Sequence, residues 1–241
     1  MAAHEGAVAA VAVIGEHEAV EAAGEERDAA GESPFYRHLL PVAEARLRAM
    51  RLELAQPVVV LGDASFSMDV AIRVASIIAS VLTALTSAEL RFFGSESRSP
   101  ATQPTCAADV LELARNCKAE GQTIPACALW EFYEQRRPVN CFVVVTDERE
   151  NGKHHDLYFH QLFYKYYTEV HPAKLVFVSF LEANATGQMC TALERLGIHP
   201  AQFRLDARRP DLTKLDAMVG LLSTQTEGFR TSLTQDESCH R

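Results

Sequence analysis

Several common signatures of nucleotide and nucleophile chemistry are missing from this chain. No Gly-x-Gly-x-x-Gly follows the first apolar strand, no Gly-Lys-Ser/Thr loop is present to cradle phosphates, and no Gly-x-Ser-x-Gly elbow surrounds Ser65 or Ser67. Dinucleotide binding, P-loop chemistry and the α/β-hydrolase mechanism therefore lack their backbone devices. Positive charge is scarce too: 23 Lys plus Arg face 32 Asp plus Glu in 241 residues, a formal charge of −9. That balance disfavours non-specific attraction to a phosphate backbone, so direct nucleic-acid binding is not expected, although a local basic patch is compatible with it. The N-terminus has no positive region followed by an apolar block, so no signal peptide is expected. The apolar helix after Asp69 carries Arg73 and is interrupted by Ser76, Ser80 and Thr83. It reads as a buried helix, and no membrane association is expected.

Six cysteines are present, but they form no CxxC knuckle. Cys106 and Cys117 are too widely spaced for one, and Cys127 and Cys141 sit in apolar or strand-like contexts. A chain of this length, 48% hydrophobic, can bury a core without disulfide staples. Reduced thiols and an intracellular, cytoplasmic protein are the expectation.

Residues 1–33 form an acidic, Ala/Glu-rich arm without aromatics, read as flexible, with a partner-binding arm as the rival. Residues 34–56 form a helical N-terminal extension, because Phe35, Leu39, Leu40, Val42, Leu47, Met50 and Leu54 recur at spacings near three and four. From 57 to 222 apolar strands alternate with helices. Strands are expected at 58–61, 90–93, 141–145, 175–180 and 201–205. Helices are expected at 68–85, 107–118, 125–135, 157–169, 187–196 and 211–222, and 94–105 reads as a polar loop. Continuous apolar strands between helices indicate an α/β sandwich with a mainly parallel sheet covered on both faces. Residues 223–241 form a polar tail.

Within that frame Asp63-Ala64-Ser65-Phe66-Ser67 falls on a strand-to-helix turn, Thr123 lies in the turn Gly121-Gln122-Thr123, and Asp147 follows the strand at 141–145. Right-handed crossovers carry the ends of parallel strands to one sheet edge, so these residues can converge. Each also has an ordinary reading. Asp63 and the serines can cap the next helix, Thr123 can start one, and Asp147 can close a turn. Together they make an all-oxygen set of two carboxylates and three hydroxyls, suited to Mg²⁺, which keeps several waters, or to Mn²⁺.

These residues resemble the von Willebrand factor A-type domain. Asp63-Ala64-Ser65-Phe66-Ser67 matches its metal-ion-dependent adhesion motif Asp-x-Ser-x-Ser, Thr123 matches the second loop, and Thr146-Asp147 the third. The resemblance covers about 57–222. It implies a Rossmann-like three-layer sandwich with a six-stranded, mainly parallel sheet and helices on both faces. It also implies that Ser65 and Ser67 coordinate the ion directly, Thr123 directly or through water, and Asp63 and Asp147 commonly through water. A partner protein's carboxylate would complete the shell. Intracellular relatives, including domains in RNA-protein assemblies, are similar in style.

The third loop departs from the family, with Glu148 where glycine often follows the aspartate. Glu148 and Glu150 would add negative potential, or Arg149 would swing in and neutralise the site. Gln122 replaces a common glycine, and Phe66 is either an exposed contact or a packed wedge. Removing Asp63 is expected to abolish ion binding and to stabilise the ion-free domain slightly by relieving carboxylate repulsion.

His154, His155 and His160 raise a zinc alternative, against solvated or aromatic-packed rings. The run of Tyr158, Phe159, Phe163, Tyr164, Tyr166 and Tyr167 offers more aromatic surface than one core needs, so a neighbouring domain or subunit is a possible partner. An aspartyl-phosphatase would want an acid where Ser65 stands. The expectation is a non-enzymatic, metal-dependent protein-interaction module. A metal-assisted phosphoryl hydrolase and a scaffold with an empty ion site are the alternatives.

Overall fold

Valine-rich runs with no polar alternation can only be satisfied in the middle of a covered sheet, and that is where this chain puts them. The computed structural model describes residues 56–68, 72–181 and 185–205, together with Pro41 and Ala45, two exposed helical positions. The strands are β1 (Val58–Asp63), β2 (Glu89–Phe93), β3 (Ser97–Arg98), β4 (Cys141–Thr146), β5 (Lys174–Phe180) and β6 (Ala201–Leu205). They form one six-stranded sheet in the order β3-β2-β1-β4-β5-β6. Every pairing is parallel except β2 with the short β3.

The helices are α1 (Ile72–Thr86), α2 (Ala107–Asn116), α3 (Ala126–Glu134), α4 (Phe159–Glu169) and α5 (Gln188–Glu194). Side-chain alternation along the strands feeds two apolar layers. Val58, Val60, Val143, Val145, Val176 and Val178 pack with α1 and α2. Val59, Leu61, Phe142, Val144, Leu175 and Phe177 pack with α3, α4 and α5 on the other face. Each central strand is therefore buried on both sides, so its apolar run is unbroken. The α/β sandwich with a six-stranded, mainly parallel sheet is the architecture the sequence led us to expect.

Some boundaries differ from the expected ones. β1 runs on through Gly62 and Asp63, because those residues pair with Phe92 and Phe93 of β2. Asp63 is thus the last residue of a strand rather than the first of a turn. A 3₁₀ turn (Phe66–Met68) follows it. The loop expected at 94–105 contains β3, an edge strand of two residues that is too short to leave a sequence pattern. α4 begins at Phe159 because His154 and Leu157 close a hairpin-like turn, with His155 and Asp156 left-handed at φ 47° and 60°.

The arm at 1–33, most of the extension at 34–56, the helix expected at 211–222 and the tail at 223–241 lie outside the described residues. Among the described residues no helix is long and apolar enough to cross a membrane.

Candidate metal centre

β1 and β4 are neighbours in the middle of the sheet. From β1 the chain crosses toward β2, and from β4 it crosses the other way, toward β5. The gap beyond the carboxyl ends of these two strands is the topological switch point, the usual ligand crevice of an open α/β sheet. Asp63 ends β1, Thr146 ends β4, and Asp147 follows directly.

The second loop is laced to the first by backbone hydrogen bonds. Glu120 N donates to Ala64 O (2.8 Å), Phe66 N to Gly121 O (3.2 Å) and Ile124 N to Gly94 O (3.1 Å). Gly121 has φ +77°, a left-handed conformation that glycine adopts without strain. Gln122, beside it, donates its N–H to Ser95 Oγ (2.9 Å), so the loop is pinned without a second glycine.

This lacing draws three hydroxyls into a triangle. Ser65 Oγ lies 3.0 Å from Ser67 Oγ, Thr123 Oγ1 lies 3.3 Å from Ser67 Oγ, and Thr123 Oγ1 donates to Ser65 Oγ at 2.9 Å. Ser65 sends its own hydroxyl proton to Asp63 Oδ1 (2.6 Å), which also accepts Ser65 N (3.0 Å). Thr146 Oγ1 donates to Asp63 Oδ2 at 2.5 Å. Asn151 takes the Thr123 N–H on its side-chain oxygen (2.9 Å) and donates its own N–H to Thr123 O (3.1 Å). The supporting roles of Thr146 and Asn151 were not foreseen from sequence. Hydroxyl and amide residues in turns are too common to carry such a signal alone.

Asp63, Ser65 and Thr123 are fully buried and Asp147 nearly so, while Ser67 stays exposed and leaves the triangle open on one side. Burial pushes the Asp63 carboxyl up to about 6, against its hydrogen bonds to Ser65 and Thr146, with the Asp147 charge adding to the rise. Between about pH 4 and 6 the folded chain holds a proton that the unfolded chain releases. The ion-free fold therefore loses stability as pH rises through that window. A cation above the carboxylates would offset this cost.

The donor set fits a small hard ion. Metal–oxygen distances of about 2.0–2.1 Å give an octahedral edge of roughly 2.8–3.0 Å for Mg²⁺, whereas the longer bonds of Ca²⁺ would need about 3.3–3.7 Å. The edges of the hydroxyl triangle, 2.9, 3.0 and 3.3 Å, are hydrogen-bond separations, compact enough for three hydroxyls to face one ion. With its proton on Asp63, Ser65 keeps oxygen lone pairs for an ion. Among the described residues no group of three or more His, Cys, Asp or Glu is placed to hold a metal, so the hydroxyls are indispensable to such a site.

The third loop resolves differently from its sequence. Glu148 adds no carboxylate to the site. It turns inward, is fully buried, and is bonded to Ser179, Gln202 and Cys190. Glu150 also turns away, accepting the Phe159 N–H (2.7 Å) at the start of α4. Arg149 stays at the surface, 65% exposed, with Nε 3.9 Å from Asp147 Oδ2, while its N–H donates to Asp147 Oδ1 (2.9 Å). Phe66 is 67% exposed and is therefore not a packed wedge. His155 stacks on Trp130 (4.0 Å between ring centres) and His160 on Tyr158 (5.9 Å), which is the aromatic-packed reading of these rings.

No family model matches this sequence, and no curated protein matches it either. Among solved structures, the RO (RSR) protein of Deinococcus radiodurans superposes with a TM-score of 0.55 at 14% identity, covering 80% of this chain and 39% of that one. The chain thus spans about two fifths of that protein's length. A BatB protein of Bacteroides thetaiotaomicron (TM-score 0.44, 12% identity, 69% of this chain and 98% of that one) superposes more loosely. So does a von Willebrand factor type A protein of Catenulispora acidiphila (0.42, 14%, 69% and 41%). Those two scores are too low to add weight. The chain has a Rossmann-like three-layer α/β fold, shared with the RO (RSR) protein, with its loop cluster at the switch point of the sheet.

Proposed function

We propose that this chain is a divalent-metal-dependent protein-interaction module. Ser65, Ser67 and Thr123 would hold Mg²⁺ or Mn²⁺, and Asp63 and Asp147 would supply the negative charge beneath it. A carboxylate from a partner protein completes the ion's shell. The hydroxyl triangle, open on the Ser67 side and backed by a buried carboxylate, is the observation that carries this reading. The ion supplies the positive charge that attracts the acidic group. The chain's own residues fix its place and exclude water from its lower side.

None of the five described cysteines is joined in a disulfide, which supports a reducing setting for this module. Tyr164 and Tyr167 on α4, 42% and 39% exposed, are the surplus aromatics that a neighbouring domain or subunit would cover.

Titration of Mg²⁺ and Mn²⁺ against thermal melting tests the ion. A raised melting temperature is expected in the native protein, because an ion that binds only the folded state stabilises it. Ser65→Ala should keep the fold and lose most of that shift. A native protein that melts identically with and without ion would leave the empty-scaffold reading standing. Hydrolysis of a simple phosphate ester, lost in Asp147→Ala, would instead favour the metal-assisted hydrolase.

Phe66 gives a second, ion-independent check. Exposed between Ser65 and Ser67 in sequence, its ring would be an apolar contact for whatever flanks the partner's carboxylate. Phe66→Ala should leave the Mg²⁺ shift unchanged. Its affinity for acidic peptides selected on the native protein should fall by about fivefold or more, the effect of truncating a contact worth about 1 kcal/mol or above. Unchanged peptide affinity would remove Phe66 from the interface.

A further inference from the structure

We propose that Glu148 is a positioning residue that locks the third loop of the ion site, in place of the glycine that commonly follows the aspartate. The inference rests on the metal-site reading but begins from the backbone. Glu148 has φ +59°, a left-handed conformation that side chains other than glycine rarely adopt. In this chain the conformation is held from two sides.

The Glu148 N–H donates to Thr146 Oγ1 (3.0 Å), the same hydroxyl that donates to Asp63 Oδ2. Its side chain, fully buried, is anchored in three elements. Oε1 accepts Ser179 Oγ of β5 (2.5 Å), Gln202 Nε2 of β6 (2.5 Å) and the Cys190 thiol of α5 (3.5 Å). Oε2 accepts Cys190 N (3.0 Å). Gly187, before α5, leaves room for the carboxylate, since a Cβ there would overlap both Glu148 oxygens and the Gln202 amide.

The left-handed turn sends successive side chains opposite ways. Glu148 goes into the β5–β6–α5 edge, and Asp147 stays beside Thr146, whose hydroxyl is bonded to Asp63. Glycine would permit this turn without holding it. Glu148 holds it, and so couples the ion site to the Ser179–Cys190–Gln202 edge. Residues that support metal ligands from behind commonly change affinity by about ten- to a hundredfold when removed.

The test uses Ser179→Ala and Gly187→Ala, which disturb only the Glu148 anchor, with Leu82→Ala in α1 as a destabilised control remote from the loop. Two quantities are read on the full chain. One is the Mn²⁺ dissociation constant from the electron paramagnetic resonance of free ion. The other is amide hydrogen exchange at residues 147–149 without ion. Both anchor variants should weaken Mn²⁺ binding about tenfold and speed exchange at 147–149, while Leu82→Ala leaves Mn²⁺ affinity within about twofold.

Native affinity in both anchor variants, or unaltered exchange at 147–149, overturns the proposal. If the native chain itself binds no Mn²⁺, the metal reading fails, and the exchange measurement alone decides the lock. Faster exchange then upholds the tether, and unchanged exchange removes it.

Discussion

Asp63→Ala is expected to erase the Mg²⁺-induced rise in melting temperature and, without ion, to destabilise the fold at pH 5 by roughly 1–3 kcal/mol. The second effect reverses what the sequence suggests, namely that relief of carboxylate repulsion would stabilise the ion-free domain. Repulsion from Asp147 is the weakest of the influences on Asp63, and burial is the strongest. Meanwhile the carboxylate accepts Ser65 N, Ser65 Oγ and Thr146 Oγ1, three donors that alanine would leave without it.

The pH dependence separates these contributions. Below about pH 4 the native protein keeps the full stability of a neutral, hydrogen-bonded Asp63. As pH rises from 3.8 through about 6 it must bury a charge, and it loses about 3 kcal/mol that the alanine variant never had. The native protein should therefore be clearly the more stable at pH 5, with the two approaching parity by pH 7.5. Chemical denaturation at the two pH values measures this. A gap that stays constant would mean that Asp63 is not buried as described.

Glu150→Gln should change the upper part of the same profile. Burial pushes the Glu150 carboxyl up to about 7 from an ordinary 4.5, opposed only by its bond from the Phe159 N–H. Its contribution to stability is complete below pH 4.5 and is lost as pH rises through 7. The native fold should therefore weaken between pH 5 and 8 by on the order of 2 kcal/mol, after allowance for the group's partial exposure. Glutamine keeps an oxygen for the Phe159 N–H and carries no charge. Glu150→Gln should match the native protein near pH 5 and exceed it near pH 8. Subtracting one curve from the other cancels the histidines common to both. Equal stability at pH 8 would show that solvent reaches Glu150 freely.

Much of the fold could be read from apolar periodicity. Val58–Asp63, Cys141–Thr146 and Lys174–Phe180 announce themselves because strands covered on both faces must be apolar at every position. Short or irregular pieces could not be read so. Ser97–Arg98 has two residues and no pattern. The turn before α4 depends on left-handed backbone at His155 and Asp156, residue types that tolerate it but are too common elsewhere to announce it, with His155 stacked on Trp130.

The candidate site divides along the same line. The sequence by itself determined which oxygens the candidate site can offer, since Asp-x-Ser-x-Ser at the end of a buried strand, a threonine before α3 and an aspartate after β4 name them through local spacing. Only the tertiary structure decided which neighbouring charges take part. Glu148, Arg149 and Glu150 are consecutive and by sequence alone each could face the ion, yet one is sealed beneath β5 and β6, one lies at the surface, and one meets the start of α4. The physical reason is that a single left-handed residue sets the direction of everything after it. Whether a glutamate can hold that conformation depends on donors in Ser179, Cys190 and Gln202, which lie 31 to 54 positions further along the chain.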